Sequence, residues 1–173
     1  MRVSRCVWVL AVAFLVIFAA LGRVRADDPA AASSDYTKVT PVDLVKQTPK
    51  GKIKDPYKDT QADIVSQGET LFRSYSCSGC HGGTGGGGMC PPLTNDVWVY
   101  GGDDDTLFRL VSYGSQILQS KGYSRIAQEN VVGPMPQMGQ VVQTADDLWR
   151  ILAWVRSNYH GSPECKFGCK PDG

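Results

Sequence analysis

Histidine is nearly absent from the sequence: 173 residues hold two, His81 and His160. A structural zinc site takes four Cys or His ligands in two spaced pairs. Beyond Cys77 and Cys80, the only other close pair is Cys165 and Cys169, in a tail with only His160 nearby, so a zinc ribbon lacks its second half. Strand-period alternation and internal repeats are missing too, which removes the βαβ setting that a thioredoxin-like dithiol needs. There is no basic stripe with interleaved aromatics, hence no nucleic-acid footprint. The longest apolar run, Val7 to Leu21, falls short of the roughly 20 residues that span a bilayer.

That run carries a different message. Arg2 and Arg5 precede it, and Val24-Arg25-Ala26 follows it before Asp27-Asp28, the pattern of an export signal cut after Ala26. A retained membrane anchor is the rival reading. Cys6 precedes the apolar run, which argues against a lipoprotein cysteine. Removing residues 1–26 takes four arginines and no acid, leaving 14 basic and 17 acidic side chains. The expected location is the periplasm, without stable membrane insertion once the signal is cleaved. Residues 27–60 are rich in Ala, Ser, Thr, Pro, Asp and Lys (Lys38, Lys46, Lys50, Lys52, Lys54, Lys58) and poor in large apolar groups, so a flexible linker is expected there. Residues 61–159 form the expected domain and residues 160–173 a cysteine-containing tail.

Inside the domain the apolar spacing is helical. Ile64, Gly68, Leu71, Phe72 and Tyr75 share one face of a helix that runs into Cys77. A second helix is expected to start near Asp105-Thr106, continue through Leu107, Phe108, Leu110 and Val111, and stop before Gly114, with a short helix over 116–120. The last begins at Thr144, with Asp147 three residues on as a capping signal, and carries Leu148, Ile151, Leu152 and Val155 as its stripe. The fold class is therefore all-α.

The stretch CSGCHGGTGGGGMCPPL, Cys77 to Leu93, holds the chemistry. Cys77 and Cys80 stand two residues apart on an exported chain, and His81 follows at once. In CxxCH, two thiols add to the vinyl groups of a haem as thioethers, and the adjacent imidazole becomes an axial ligand of the iron. One such motif is present, so one covalently attached haem c is expected. Met89, Met135, Met138 and His160 are candidates for the sixth ligand. Met135 is preferred because Gly133, Pro134 and Pro136 hold it on a non-helical loop. Met89 lies too near His81 in sequence to reach the other haem face easily, and Met138 reads as core filler. A phosphate-binding loop would need Lys-Ser or Lys-Thr after the glycines, and neither follows. The glycines instead let backbone approach the porphyrin edge.

These residues resemble the class I cytochromes c from about Gln61 to Tyr159. Gly68, Leu71 and Phe72 are similar to the family's GxxLF helix, Pro91-Pro92-Leu93 to its GPxL segment, Met135-Pro136-Gln137-Met138-Gly139 to its MPxFG loop, and Ile151 with Trp154 to the pair on its last helix. The resemblance implies that the Pro91 carbonyl orients His81, that His81 and Met135 ligate iron, and that Gly68 lets the last helix cross the first. Cys90 departs from the pattern, standing where GPxL has glycine, and so does the cysteine tail. Asn95-Asp96-Val97-Trp98-Val99-Tyr100 resembles the ND-x-W-x-Y segment of cytochrome cL and related acceptors of PQQ-dependent methanol and alcohol dehydrogenases. That implies an indole N–H from Trp98 to a haem propionate and a quinoprotein dehydrogenase as electron donor.

The function expected is single-electron transfer between redox proteins, with another cytochrome or an oxidase as acceptor, and not enzymatic turnover. A haem sensor or enzyme with a displaceable methionine, or a cytochrome subunit of a larger oxidoreductase, are the other readings. Three cysteines remain in a compartment where disulfides persist. A bridge from Cys90 to Cys165 or Cys169, tying the tail to the Gly-rich loop, is expected over a small Cys165–Cys169 ring.

Overall fold

The computed structural model describes residues 36–94, 96, 98–128 and 133–168, and among these there is no strand. Among the described residues five helices follow one another: α1 (Pro41–Gln47), α2 (Ala62–Ser74), α3 (Ser78–His81), α4 (Asp104–Ser120) and α5 (Ala145–Ser157). Short 3-10 turns cover Met138–Gln140 and Pro163–Cys165. The export signal lies outside the described residues. No helix among the described residues is long and apolar enough to cross a membrane.

Helices α2 and α5 form the heart of the molecule. The Thr144 hydroxyl accepts from the Asp147 N–H at 3.0 Å and starts α5 where its sequence signal stands. From there Leu148, Ile151, Leu152 and Trp154 turn inward against Phe72, with the Phe72 and Trp154 rings 4.4 Å apart. The two backbones nearly touch at Gly68. A Cβ there would overlap the Arg150 carbonyl oxygen and lie 2.7 Å from its carbon and 3.0 Å from Trp154 Cβ, so only glycine allows this crossing.

Helix α4 packs beside α5 through Phe108 and Trp149, ring centroids 4.6 Å apart. Asp103 caps it, accepting from the Thr106 N–H at 2.9 Å. It breaks at Gly114, whose backbone sits at φ 73°, ψ 165°, so the expected stop before Gly114 and the short helix after it are two halves of one kinked element.

The expected flexible linker is corrected from Tyr36 onward: residues 36–60 are an arm packed on the domain. Thr40 caps α1, and Val45 and Ile53 are 2% and 1% exposed. Pro41 is buried with them, Tyr36, Leu44 and Tyr57 pack against the core, and a set of polar contacts completes the attachment. Buried Arg109 donates to the carbonyls of Val45 (3.2 Å), Thr48 (2.7 Å) and Pro49 (3.0 Å) and pairs with Asp105 at 2.7 Å. Asp105 in turn accepts from the Ile53 N–H at 3.1 Å and the Tyr123 hydroxyl at 3.0 Å. Farther along, fully buried Arg156 pairs with Asp55 at 2.6 Å and Asp104 at 2.8 Å. The arm is ordered because the domain satisfies its backbone polar groups, which composition does not reveal.

Candidate functional site

Helix α2 delivers the chain to Cys77 through a strained turn. The Cys77 N–H bonds the Phe72 carbonyl at 3.0 Å and the Ser76 N–H bonds that of Arg73 at 3.0 Å, the double closure of a Schellman end. The residue that must be left-handed there is Ser76, at φ 61°, where glycine is usual; a non-glycine residue in that region costs on the order of 1–2 kcal/mol. It turns the chain directly into α3, one turn of helix made by the Cys-Ser-Gly-Cys-His segment itself.

On that turn Cys77, Cys80 and His81 stand at i, i+3 and i+4, which places both thiols and the imidazole on one face. The His81 N–H bonds the Cys77 carbonyl at 3.0 Å. His81 Nδ1 lies 2.9 Å from the Pro91 carbonyl oxygen. A carbonyl can only accept, so Nδ1 carries the proton and Nε2 keeps its lone pair. Burial holds the imidazole pKa below its usual value, partly offset by that bond to Pro91. Burial also pushes the Cys77 thiol up to about 11. The site thus presents a neutral nitrogen donor on the same face as the protonated Cys77 thiol and the free Cys80 side chain.

The glycines close the loop onto this turn. The Gly87 N–H bonds the His81 carbonyl (2.8 Å), Cys90 N–H that of Cys80 (3.1 Å) and Leu93 N–H that of Gly85 (2.7 Å). A Cβ at Gly82 would be 2.6 Å from the Gly87 oxygen, and one at Gly88 2.8 Å from the Cys80 oxygen. Glycine is therefore required for the backbone to fold back on itself. Cys77, Cys80 and Cys90 are free thiols, whereas Cys165 is disulfide-bonded and Cys169 lies outside the described residues. The expected bridge from Cys90 to the tail is thus not formed. The loop needs no such tie, since its own backbone bonds order it. Burial raises the Cys90 pKa, as does its hydrogen bond with the Cys80 thiol.

The methionines separate by position. Met89 is 64% exposed on the Gly-rich loop and Met138 packs against the core. Met135, part-buried, sits on the loop facing the α4 kink: its N–H donates to Ser115 Oγ at 3.0 Å, and its carbonyl accepts from the Ser115 N–H at 3.0 Å. Sequence reading missed Ser115; its only signal was its place just after the helix-breaking Gly114. His160 is exposed.

Trp98 stacks on Tyr159 with ring centroids 4.9 Å apart, and its Nε1 is buried without a hydrogen-bond acceptor. A Cβ on Gly102 would lie 2.9 Å from that nitrogen. Asn95 and Val97 of the same segment lie outside the described residues.

Residues 63–155 match the family model described as cytochrome C oxidase, cbb3-type, subunit III. The cbb3-type cytochrome c oxidase subunit CcoP of Cereibacter sphaeroides is 30% identical over 77 residues, which cover 43% of this chain and 26% of that protein. Cytochrome c-L of Methylorubrum extorquens is 31% identical over 99 residues, 56% of this chain and 41% of that one. Among solved structures, cytochrome CL from the marine methylotroph Methylophaga aminisulfidivorans is 29% identical with a TM-score of 0.46, covering 62% of this chain and 63% of its own. The chain spans about a quarter of the length of the oxidase subunit and two fifths of the curated cytochrome c-L. With more than half of its length under the family model, the chain belongs to the cbb3-type subunit III cytochrome family, an all-α class I c-type cytochrome that resembles cytochrome cL and whose family cofactor is haem c.

Proposed function

We propose that this chain is a periplasmic mono-haem cytochrome that carries single electrons between redox proteins. The observation that carries the reading is the common face of Cys77, Cys80 and His81, with Nδ1 committed to Pro91 and Nε2 left to ligate. The sequence holds one CxxCH, which fits one haem. The haem supplies a one-electron iron couple; the rest is done by the chain. Cys77 and Cys80 hold the group as thioethers, and the Pro91 carbonyl fixes the imidazole plane and raises its basicity. Met135 would supply a thioether sulfur to the iron together with His81, and a Met/His donor set would raise the potential. The orphaned Trp98 Nε1 fits a donor waiting for a carboxylate, such as a propionate.

The electron donor in this reading is a PQQ-dependent alcohol dehydrogenase, and another cytochrome or an oxidase is the acceptor. The cytochrome c-L similarity and the Asn95 to Tyr100 segment support the donor. The CcoP similarity favours a second reading, in which the domain serves within a terminal oxidase. Acid-acetone extraction of the purified protein should leave one haem per chain on the polypeptide. Haem that extracts freely would sink the thioether assignment. In stopped-flow mixing, a reduced quinoprotein alcohol dehydrogenase at micromolar concentration should reduce the cytochrome. No reduction there, together with rapid oxidation by a cbb3-type oxidase core, would select the second reading.

A further inference from the structure

Met135 lies on a loop that contains two prolines, and its backbone is gripped from outside that loop. Ser115 takes both of its main-chain polar groups, the N–H through the hydroxyl and the carbonyl through the Ser115 N–H, each at 3.0 Å. The approach exists because α4 breaks one residue earlier. A Cβ at Gly114 would stand 2.6 Å from the Met135 oxygen and 2.8 Å from the Pro136 carbonyl carbon, so the loop rests directly on the kinked backbone.

Four residues further, Gly139 is wedged between two elements. Its Cβ would lie 2.7 Å from the Ser112 carbonyl oxygen of α4 and 3.0 Å from Val42 Cγ2 of α1. The arm also closes the end of the segment, where the Val39 carbonyl accepts from the Ala145 N–H at 2.7 Å. Residues 36–60 precede the part of the chain that the family model matches, so this buttress comes from outside the matched region.

We propose that Ser115 and the arm helix α1 are the positioning device for the Met135 thioether, clamping its loop at both ends so that a weak sulfur ligand stays on the iron. The inference rests on Met135 as the axial ligand. Thioether ligation is easily displaced by stronger nitrogen donors, so the fraction of time the loop spends in place sets how tightly such a competitor binds.

The test uses the purified haem-loaded protein and reads the methionine–iron charge-transfer band of the ferric form and the apparent affinity for added imidazole. Wild type should show the band, and Met135→Ala should lose it. Ser115→Ala should weaken the band and bind imidazole about tenfold more tightly, the equivalent of one hydrogen bond of ~1.4 kcal/mol. Ser115→Thr, which keeps the hydroxyl, should restore both readouts, and Val42→Ala should raise imidazole affinity about threefold. A band missing from wild type, or kept in Met135→Ala, would overturn the ligand assignment and the positioning role with it. A band lost only with Met135, with imidazole affinity unchanged in Ser115→Ala, would overturn the positioning role alone. If Ser115→Ala fails to fold, Val42→Ala decides: wild-type affinity there removes the arm from the device.

Discussion

From Cys77 to Leu93 the chain is ordered mainly by hydrogen bonds to itself, and among the described residues none of these reaches more than ten residues. The Met135 to Gln140 segment is held instead by Ser115, twenty residues away, and by Val42, nearly a hundred away. The first arrangement needs only contacts close in sequence to the end of α2, and such short loops cost little entropy to shut. The second exists only when the arm, α4 and α5 have assembled. In the proposed carrier, with one ligand on each kind of loop, the His81 side would be fixed locally and the Met135 side would report on the state of the whole fold.

The largest effect expected is from Gly68→Ala, which would break both sides together. The added Cβ overlaps the Arg150 carbonyl, and neither partner is a side chain that can swing away. Ordinary overpacking costs about 1–3 kcal/mol. Forcing apart two backbones at the main helix crossing belongs with the exceptional losses above about 4–5 kcal/mol. Soluble, haem-loaded protein should fail to accumulate. Wild-type yield and thermal stability for this variant would show that α2 and α5 can separate without loss, and that the Cys77 turn does not depend on their crossing.

Arg109→Met should separate the two sides. It leaves Asp105 buried without its guanidinium and frees the carbonyls of Val45, Thr48 and Pro49. Removing one partner of a buried pair costs about 3–5 kcal/mol. In hydrogen exchange, residues 36–60 and the Met138–Gln140 turn should lose protection, while residues 77–93 keep theirs. Equal loss in both regions would mean that the loops are one cooperative unit.

The same division explains what could be read from sequence. Helices α2 and α5 were legible because their apolar stripes, the Thr144 cap and Gly68 are local or periodic features. CxxCH was legible because its three functional groups need only one helical turn to share a face. The arm was not, since its few apolar residues, Val42, Leu44, Val45 and Ile53, stand among lysines and prolines without a long stripe, and the polar groups that hold its backbone and Asp55 belong to Arg109, Asp105 and Arg156 far along the chain. Ser115 was hidden for the same reason: after Gly114 a helix stop is evident, but not the loop that will lie against it. The bridge expected for Cys90 misjudged the glycines, treating a loop that closes on its own backbone as one in need of an external tie.

The smallest effect concerns the arm's second attachment and shows as a slope with pH. Burial pushes the Asp55 carboxyl up to about 7, against the opposing pull of the Tyr57 N–H and Arg156. Asp105, at the first attachment, is also raised by burial, but the hydrogen bond from Arg109 and the N–H groups of Gly51 and Ile53 outweigh it and hold its pKa below the usual value. The signs are opposite. An ordinary Asp ionises near 3.9, so between about pH 4 and 7 the folded protein keeps a proton at Asp55 that the unfolded chain has released. Asp55 therefore favours folding most at the acid end, and its contribution declines as pH rises through 7. Asp105 contributes above the ordinary carboxylate range and loses its contribution only as pH falls through its lowered pKa. Urea denaturation from pH 5 to 7.5 should show wild-type stability falling relative to Asp55→Asn, whose neutral side chain removes the slope. Exchange protection of residues 36–60 should decline over the same range in wild type alone. Parallel curves for the two proteins would mean that Arg156 holds Asp55 ionised throughout, making both attachments of the arm ion pairs of one kind.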